Sequence, residues 1–461
     1  MPRSSSGTGR DAEPVRIIAF DHFFNQDLAA LREGLRSDER MDVLPYRRLH
    51  KVAARHFPKE AFATLSGPFE PAVEPRWEAY RLAAQAFTDW VDAAYQPSVF
   101  VVPNDGFFYL RPVIARFRAL GVRTVVVQKE TTIAPLTMDE DSRVILRTTP
   151  FMADAMTVCS ERHREFALRT GAPPEKVVVT GQPRFDFYAR ARGKPRARTG
   201  MPLVLYLSYD DLSYLPADGS LGSWRALRTE TERVLSALAS ERTIHVVAKY
   251  HPQQQVTDDA LGPAAERPPR DADTRHLVAE ADVIVGFQTT ALFEAAVAGK
   301  PVLYPAWGPV YERAAHLLIP FADHPELARH ARSPDELRAL LRGGPLDRPG
   351  RNAVALAEAH LGPVDGHATE RVLDVVRRHA VERSPVPPPS PSPGRLATAA
   401  LRGAGVPLAG AAAVALRLMS RPALGEAASR HAGYWLQEAR EASVIAGRLL
   451  AAVVVGRSRA R

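Results

Sequence analysis

The sequence predicts an α/β protein: two doubly wound, Rossmann-like domains in tandem, followed by a helical C-terminal tail. Three observations lead there. Short apolar runs rich in β-branched residues alternate with helical segments from residue 15 to about residue 380, the pattern of βαβ units in a parallel sheet. One polar, basic stretch containing Gly and Pro, ARARGKPRARTGMP (189–202), interrupts that alternation and divides it into two halves. The length of 461 residues suffices for two to three domains, each with a full core, and 46% hydrophobic with 24% charged residues is the composition of a soluble globular protein.

These breaks set the expected domains: a disordered lead over 1–14, a first domain over 15–190, a linker over 191–201, a second domain over 202–383, a proline-rich spacer over 384–394 and a basic tail over 395–461. The lead MPRSSSGTGRDAEP has no apolar core of the kind a secretory signal needs. The single cysteine, Cys159, rules out an internal disulfide and fits a reducing, cytoplasmic setting. Of the net charge of +8, the segment from Ser384 onward carries +7, with ten Arg, no Lys, three Glu and no Asp. A near-neutral body with a basic tail argues against nucleic acid as a partner and points to an anionic surface met by the tail alone.

In the first half, VRIIAF (15–20) reads as a strand that places Asp21 and His22 at its carboxyl end, before the helical NQDLAALREGL. Residues 41–96 read as mostly helical, with Trp77, Tyr80, Phe87 and Trp90 at near-helical spacing as core residues. PSVFVVPND (97–105) is the next strand, ending at Asn104 and Asp105; a helix over 112–120 follows, closed by Gly121. VRTVVVQKETT ends in Gln128, Lys129, Glu130, Thr131 and Thr132, and KVVVTGQPRFD (176–186) closes the half.

In the second half, LVLYLSYDD (203–211) puts Ser208 and Tyr209 at a strand end. A long helix over 227–239 and TIHVVAKYHPQQQ (243–255), carrying Lys249 and His251, follow. ADVIVGFQTTALFEAAVAGKPVLY (281–304) is the most informative stretch: buried strand, polar turn, helix, Gly299, strand. Gln288, Thr289 and Thr290 fall at the turn, with Thr289 or Thr290 as N-cap. A polar turn at the carboxyl end of a parallel strand is a candidate seat for an anion or phosphate. Glu294, within the helix, is placed to reach ribose hydroxyls. Beyond the proline spacer, Trp435, Ala439, Ala442, Ala446, Leu449 and Val453 form a stripe with arginines outside it, an amphipathic helix suited to an anionic membrane surface or a partner helix.

Four strings occurring in order, VVVTGQPRFD (177–186), KYHPQQ (249–254), the 281–304 stretch and VDGHATERV (364–372), resemble the bacterial CDP-glycerol glycerophosphotransferase and surface-carbohydrate biosynthesis families, and more distantly the UDP-N-acetylglucosamine 2-epimerases, over about residues 15–380. The resemblance implies a glycosyltransferase B fold, with a nucleotide-donor site in the second domain and an acceptor side in the first. It also implies a transferase moving a sugar or polyol-phosphate group to a cell-surface polysaccharide or glycolipid acceptor; the basic tail would hold such an enzyme at the inner face of a membrane, near a lipid-linked acceptor. The epimerases have a Ser-Gly-Gly turn followed by paired glutamates where this chain has Gly286-Phe287-Gln288-Thr289-Thr290 and one Glu294; teichoic-acid polymerases have an Asp-Tyr-Ser-Ser turn there. A nucleotide-sugar 2-epimerase and a non-catalytic nucleotide-sugar-binding scaffold of polysaccharide assembly remain as alternatives.

A transferase of this kind must stabilise the charge growing on the leaving nucleotide. Asp271-Ala272-Asp273 fits a metal motif only formally, so no metal and no cofactor is expected, and the phosphates fall to Thr289, Thr290 and cationic groups. Ser208, Lys249, Gln288 and Glu294 complete the expected donor site, and His251 matches the family's His-Pro position. Arg184 is expected at the interdomain junction, pairing with Asp186 or reaching a phosphate. Asp365 and Arg371 open a terminal helix that in this superfamily crosses back to the first domain, with Arg371 in an interdomain ion pair. An inverting reaction needs a base near the acceptor hydroxyl; Asp21, His22, Asp105 and Glu130 are the candidates on the acceptor side, with His22 and Asp105 preferred.

Overall fold

The computed structural model describes residues 15–21, 24–57, 62, 74–129, 135–191, 200–211, 215–216, 219–250, 254, 260–344 and 346–381. The expected lead, the proline spacer and the basic tail lie outside them, as do His22, Glu130, His251 and most of the 191–201 linker.

The first half folds as β1 (Arg16–Phe20), α1 (Asn25–Glu33), β2 (Arg40–Leu44), α2 (Tyr46–His56), α3 (Glu74–Tyr95), β3 (Val99–Val102), α4 (Arg111–Ala119), β4 (Arg123–Val127), α5 (Pro135–Thr148), β5 (Ala155–Val158), α6 (Glu161–Arg169), β6 (Val177–Val179) and α7 (Asp186–Ala191). Its six strands form one sheet in the order β2-β1-β3-β4-β5-β6, with every pairing parallel. All four residues of VFVV in β3 are buried, because helices cover both faces of a doubly wound sheet and leave no polar side for alternation to mark.

The second half folds as β7 (Leu203–Leu207), α8 (Arg225–Ser240), β8 (His245–Lys249), α9 (Thr274–Glu280), β9 (Val283–Gly286), α10 (Ala291–Val297), β10 (Val302–Pro305), α11 (Pro309–Ala314), β11 (Arg329–Ala331), α12 (Pro334–Arg342), α13 (Arg351–Leu361) and α14 (Ala368–His379). The sheet order is β11-β10-β9-β7-β8, again parallel throughout. Every side chain of α10 is buried, which its apolar sequence requires. Ser333 caps α12 through Glu336 N, and Asp273 caps α9 through Arg275 N.

Two elements pack across the linear division: Tyr188 of α7 joins the core of the second half, and α14 returns to the first. α14 follows the second sheet in sequence but packs on the first: Val372, Leu373, Val375 and Val376 join the core formed by Ile17, Leu31, Val99, Val101 and Val125. Arg377 is paired with Glu39 at 2.7 Å. Asp186 accepts from the backbone N–H groups of Ala368 and Thr369 at 2.9 and 2.8 Å, so a first-half carboxylate satisfies the start of α14. Arg371 bonds the Thr180 carbonyl at 2.7 Å and pairs with Asp365 at 2.8 Å, and that guanidinium holds the Asp365 carboxyl down at about 2.

In the first half, two elements stand where the sequence reading places no such element. The region read as mostly helical over 41–96 contains β2, an edge strand whose charged Arg40 and Asp42 pair with each other at 2.7 Å. α5, PLTMDEDSRVILRT, occupies a region for which the sequence reading places no element.

Candidate functional site

Ligands in open α/β sheets bind outside the carboxyl ends of the strands, where the chain reverses its order across the sheet. The first sheet reverses between β1 and β3, the second between β7 and β9. The two carboxyl ends face each other: Gln26 Nε2, at the start of α1, donates to Asp273 Oδ1, just before α9, at 2.9 Å. The crevice therefore has Asp21 and Asp105 on one wall, with Ser208 and the 288–290 turn on the other.

The 288–290 turn is held by its first residue. Gln288 has φ +46°, a left-handed conformation that costs a non-glycine residue about 1 kcal/mol or more and needs surrounding support. That support is its own amide: Nε2 donates to the Tyr304 hydroxyl at 2.9 Å and the Ile319 carbonyl at 3.2 Å, and Oε1 accepts from Ile319 N at 3.0 Å. Gln288 is thus a buried clamp with both ends of its amide in use, whereas Thr289 and Thr290 are half-exposed. Thr290 occupies the N-cap position of α10 without a side-chain cap bond; the Thr289 hydroxyl accepts from Ala291 N at 3.4 Å.

Glu294 lies beneath this turn, 8% exposed. Its Oε2 accepts from the Tyr188 hydroxyl at 2.6 Å. Burial raises the Glu294 carboxyl above the usual range, against the opposing pull of Arg184, the Tyr188 bond and Arg275. Arg184 does not pair with Asp186: its Nη1 meets Asp27 Oδ2 at 2.8 Å and its backbone N–H meets Asp27 Oδ1 at 3.0 Å, because Asp186 is engaged by α14. Gln182 Nε2 adds a bond to Asp27 at 3.2 Å, and Arg184 Nη2 reaches the Lys129 carbonyl at 3.2 Å. Arg275 chelates Asp273 and donates to the Arg184 carbonyl at 3.4 Å. Two ion pairs, Asp27–Arg184 and Asp273–Arg275, thus flank Glu294 at the floor of the crevice and act on its carboxyl through space.

Ser208 and Lys249 sit lower in the second domain. Ser208 accepts from Gln254 Nε2 at 3.0 Å and donates to Glu232 at 3.5 Å. The Lys249 ammonium bonds the Arg270 carbonyl, and burial lowers its pKa. A buried network of Arg228, Asp211 and Glu232 underlies Ser208, with Arg228 Nη2 3.1 Å from Asp211. On the first-domain wall, Asp21 accepts from Tyr46 N at 2.7 Å. Asp105, 4% exposed, accepts from the N–H groups of Met152 and Ala153 at 2.7 and 3.0 Å, which makes it an anchor for the loop before β5 while burial raises its pKa.

The structure therefore brings together Arg184, Glu294, Thr289 and Thr290. It sets Ser208 and Lys249 deeper, and it separates Asp105 from them on the opposite wall. Asp27, Tyr188 and Arg275 were missed by sequence reasoning. Tyr188 lies two residues past the GQPRFD string, but a tyrosine in a short helix carries no local sign of a partner 106 positions away. No group of three or more His, Cys, Asp or Glu suited to a metal occurs among the described residues. A cavity of about 170 Å³ lined by Pro301, Leu303, Glu326, Arg329 and Arg348 opens at the amino ends of β10 and β11, the far end of the sheet from the turn.

Behind the crevice, the halves also meet at Cys159, His163 and His360. Cys159 Sγ lies 3.1 Å from His163 Nδ1 and donates to the His360 carbonyl at 3.6 Å; burial pushes this thiol up to about 12. Burial, then the neighbouring His360 and Arg162, holds His163 at about 3, and burial holds His360 at about 4. Both histidines are neutral in the folded protein and take up protons on unfolding near pH 6.5, so the folded state loses stability as pH falls from 6.5 toward those values. At pH 5 the loss relative to pH 7.5 should be about 2 kcal/mol for each histidine. Urea unfolding at the two pH values measures it, and an unchanged unfolding free energy would refute the neutral-histidine assignment.

In comparisons with known proteins, no family model and no curated sequence matches the chain. Solved structures do. A UDP-N-acetylglucosamine 2-epimerase is similar at 14% identity, over 81% of this chain and 98% of that one, with a TM-score of 0.50. The wall teichoic acid polymerase TagF is similar at 10% identity over 80% and 89%, TM-score 0.48. The UDP-GlcNAc 2-epimerase of Methanocaldococcus jannaschii is similar at 11% identity over 79% and 99%, TM-score 0.46. At such identities the likeness concerns the fold, and that fold is the two-domain glycosyltransferase B arrangement.

Proposed function

We propose that the chain is a transferase that moves a sugar or polyol-phosphate group from a nucleotide-activated donor, held by the second domain, to an acceptor of the cell-surface polysaccharide or glycolipid class. The observation that carries this reading is the crevice itself. The half-exposed Thr289 and Thr290 stand at the β7/β9 reversal with the buried Glu294 behind them, opposite the β1/β3 reversal of the first sheet. In this reading the two threonines meet the pyrophosphate and Glu294 takes the ribose hydroxyls. Arg184 supplies positive potential to the crevice floor from a pair already formed with Asp27, and Ser208 and Lys249 hold the strand ends beneath the donor. His22 and His251 stay candidates for the base and the phosphate contact.

The likeness to a UDP-N-acetylglucosamine 2-epimerase favours a second reading, in which the nucleotide sugar is isomerised without an acceptor. One experiment serves both. A thermal-shift panel of the full chain with UDP, CDP, GDP and dTDP, and with their sugar or glycerol conjugates, should single out one nucleotide. A ligand at a hundred times its Kd stabilises by about 2.7 kcal/mol, and Glu294→Ala should lose that gain. The selected conjugate is then incubated alone: conversion to an epimer supports the isomerase, and stability until an acceptor is added supports the transferase. If no nucleotide moves the melting temperature at millimolar concentration, the donor-site reading is wrong.

A further inference from the structure

We propose that Tyr188 is a positioning residue for Glu294: its hydroxyl, carried on the last helix before the interdomain linker, orients the carboxylate so that its second oxygen is presented to a nucleotide ribose. The inference rests on the reading of Glu294 as a donor ligand. It goes further by tying nucleotide recognition to the connector between the domains.

Tyr188 is fully buried and packs in the second domain's core, although it precedes that domain in sequence. Its ring lies edge-on to Phe187, with centroids 5.5 Å apart, so the phenol cannot swing away without repacking. The hydroxyl donates to Glu294 Oε2 at 2.6 Å, the short distance of a charge-assisted bond; Oε1 has no hydrogen-bond partner among the described residues. A carboxylate with one oxygen fixed by a phenol and the other unclaimed is aimed. A ribose hydroxyl meeting it loses little further rotamer entropy.

The groups around Glu294 are Tyr188 on α7, Arg184 on the segment before α7, Arg275 and Asp273 at the start of α9, and Asp27 on α1. His360, on α13, stacks on the adjacent Phe293 at 4.4 Å. Burial favours the protonated carboxyl, whereas the Tyr188 bond and the two arginines favour the ionised form that accepts ribose hydroxyls. Removing only the Tyr188 hydroxyl therefore raises the proton affinity of Glu294. Nucleotide binding should then weaken, and its acid-side midpoint should move to higher pH.

The test is isothermal titration of the full chain with UDP, CDP and GDP from pH 6 to 9, for wild type, Tyr188→Phe and Glu294→Gln. Tyr188→Phe keeps the ring and should lose about tenfold in affinity at pH 7, as expected for one hydrogen bond to a charged group. The loss should shrink as pH rises, and Glu294→Gln should show no acid-side midpoint. A uniform loss at every pH, or none, overturns the proposal, because a packing defect does not move a midpoint. If the wild type binds none of the three, the donor reading fails and this inference with it; if Glu294→Gln binds as the wild type does, the role given to Glu294 fails. Should Tyr188→Phe not fold, 3-fluorotyrosine placed at 188 keeps the hydroxyl as a stronger donor and must move the midpoint to lower pH; an unmoved midpoint there also overturns it.

Discussion

Gly362→Ala is expected to lower the unfolding free energy by about 3–5 kcal/mol, a large part of what a domain possesses. Gly362 ends α13 and begins the segment that returns to the first domain, with φ +80°. A Cβ built there would lie 1.6 Å from the Cys159 carbonyl oxygen. The obstacle is backbone at the end of β5, so no rotamer change relieves it; β5 and the returning segment must separate. Gly299 supplies the control. Its φ is +71° and nothing lies within 4 Å of an added Cβ, so Gly299→Ala should cost only the backbone strain, about 1 kcal/mol. Urea midpoints for the two variants separate steric closeness from backbone conformation. Equal losses would mean that the approach of Gly362 to Cys159 is not a constraint on the fold.

The contrast between these glycines marks what the sequence could reveal. Gly299 follows a run of strong helix formers and precedes Lys-Pro, so its role as a helix stop was visible locally. Gly362 looks the same in sequence, and its closeness to Cys159 arises only when the chain returns to the first sheet. The strands β1, β3, β7 and β9 were legible because each is a continuous apolar run, the mark of a strand buried on both faces. β2 was not, since RMDVL at a sheet edge alternates irregularly and carries two charges. In the site, the 288–290 turn was placed correctly by its strand-turn-helix context. The division of labour within it was hidden: Gln288 was counted among the donor-binding residues with Thr289 and Thr290, yet its amide is spent on Tyr304 and Ile319. Arg184 is expected at the junction, pairing with Asp186 or reaching a phosphate; of these the Asp186 pair is replaced by one with Asp27. Asp186 is the nearer carboxylate in sequence, but it is already engaged by the start of α14, a fact of tertiary structure.

That partner can be tested by its removal. Asp27 is completely buried and receives three donors, the Arg184 backbone N–H, Arg184 Nη1 and Gln182 Nε2. Asp27→Ala leaves the guanidinium in the junction with the Lys129 carbonyl at 3.2 Å and a Glu294 that burial pushes toward its neutral form. Stripping one partner from a buried pair costs about 3–5 kcal/mol, whereas replacing both by apolar groups is often near neutral. The double variant Asp27→Ala with Arg184→Met should therefore be more stable than Asp27→Ala alone, and the double-mutant cycle should show a strong favourable coupling in urea unfolding. The cycle also bears on ligand binding. If Arg184 acts on the crevice mainly through the floor it forms with Asp27, both single variants should weaken nucleotide binding together with stability. A variant lacking Arg184 that stays stable and loses only affinity would instead make the guanidinium a direct phosphate ligand, with Asp27 merely its resting partner.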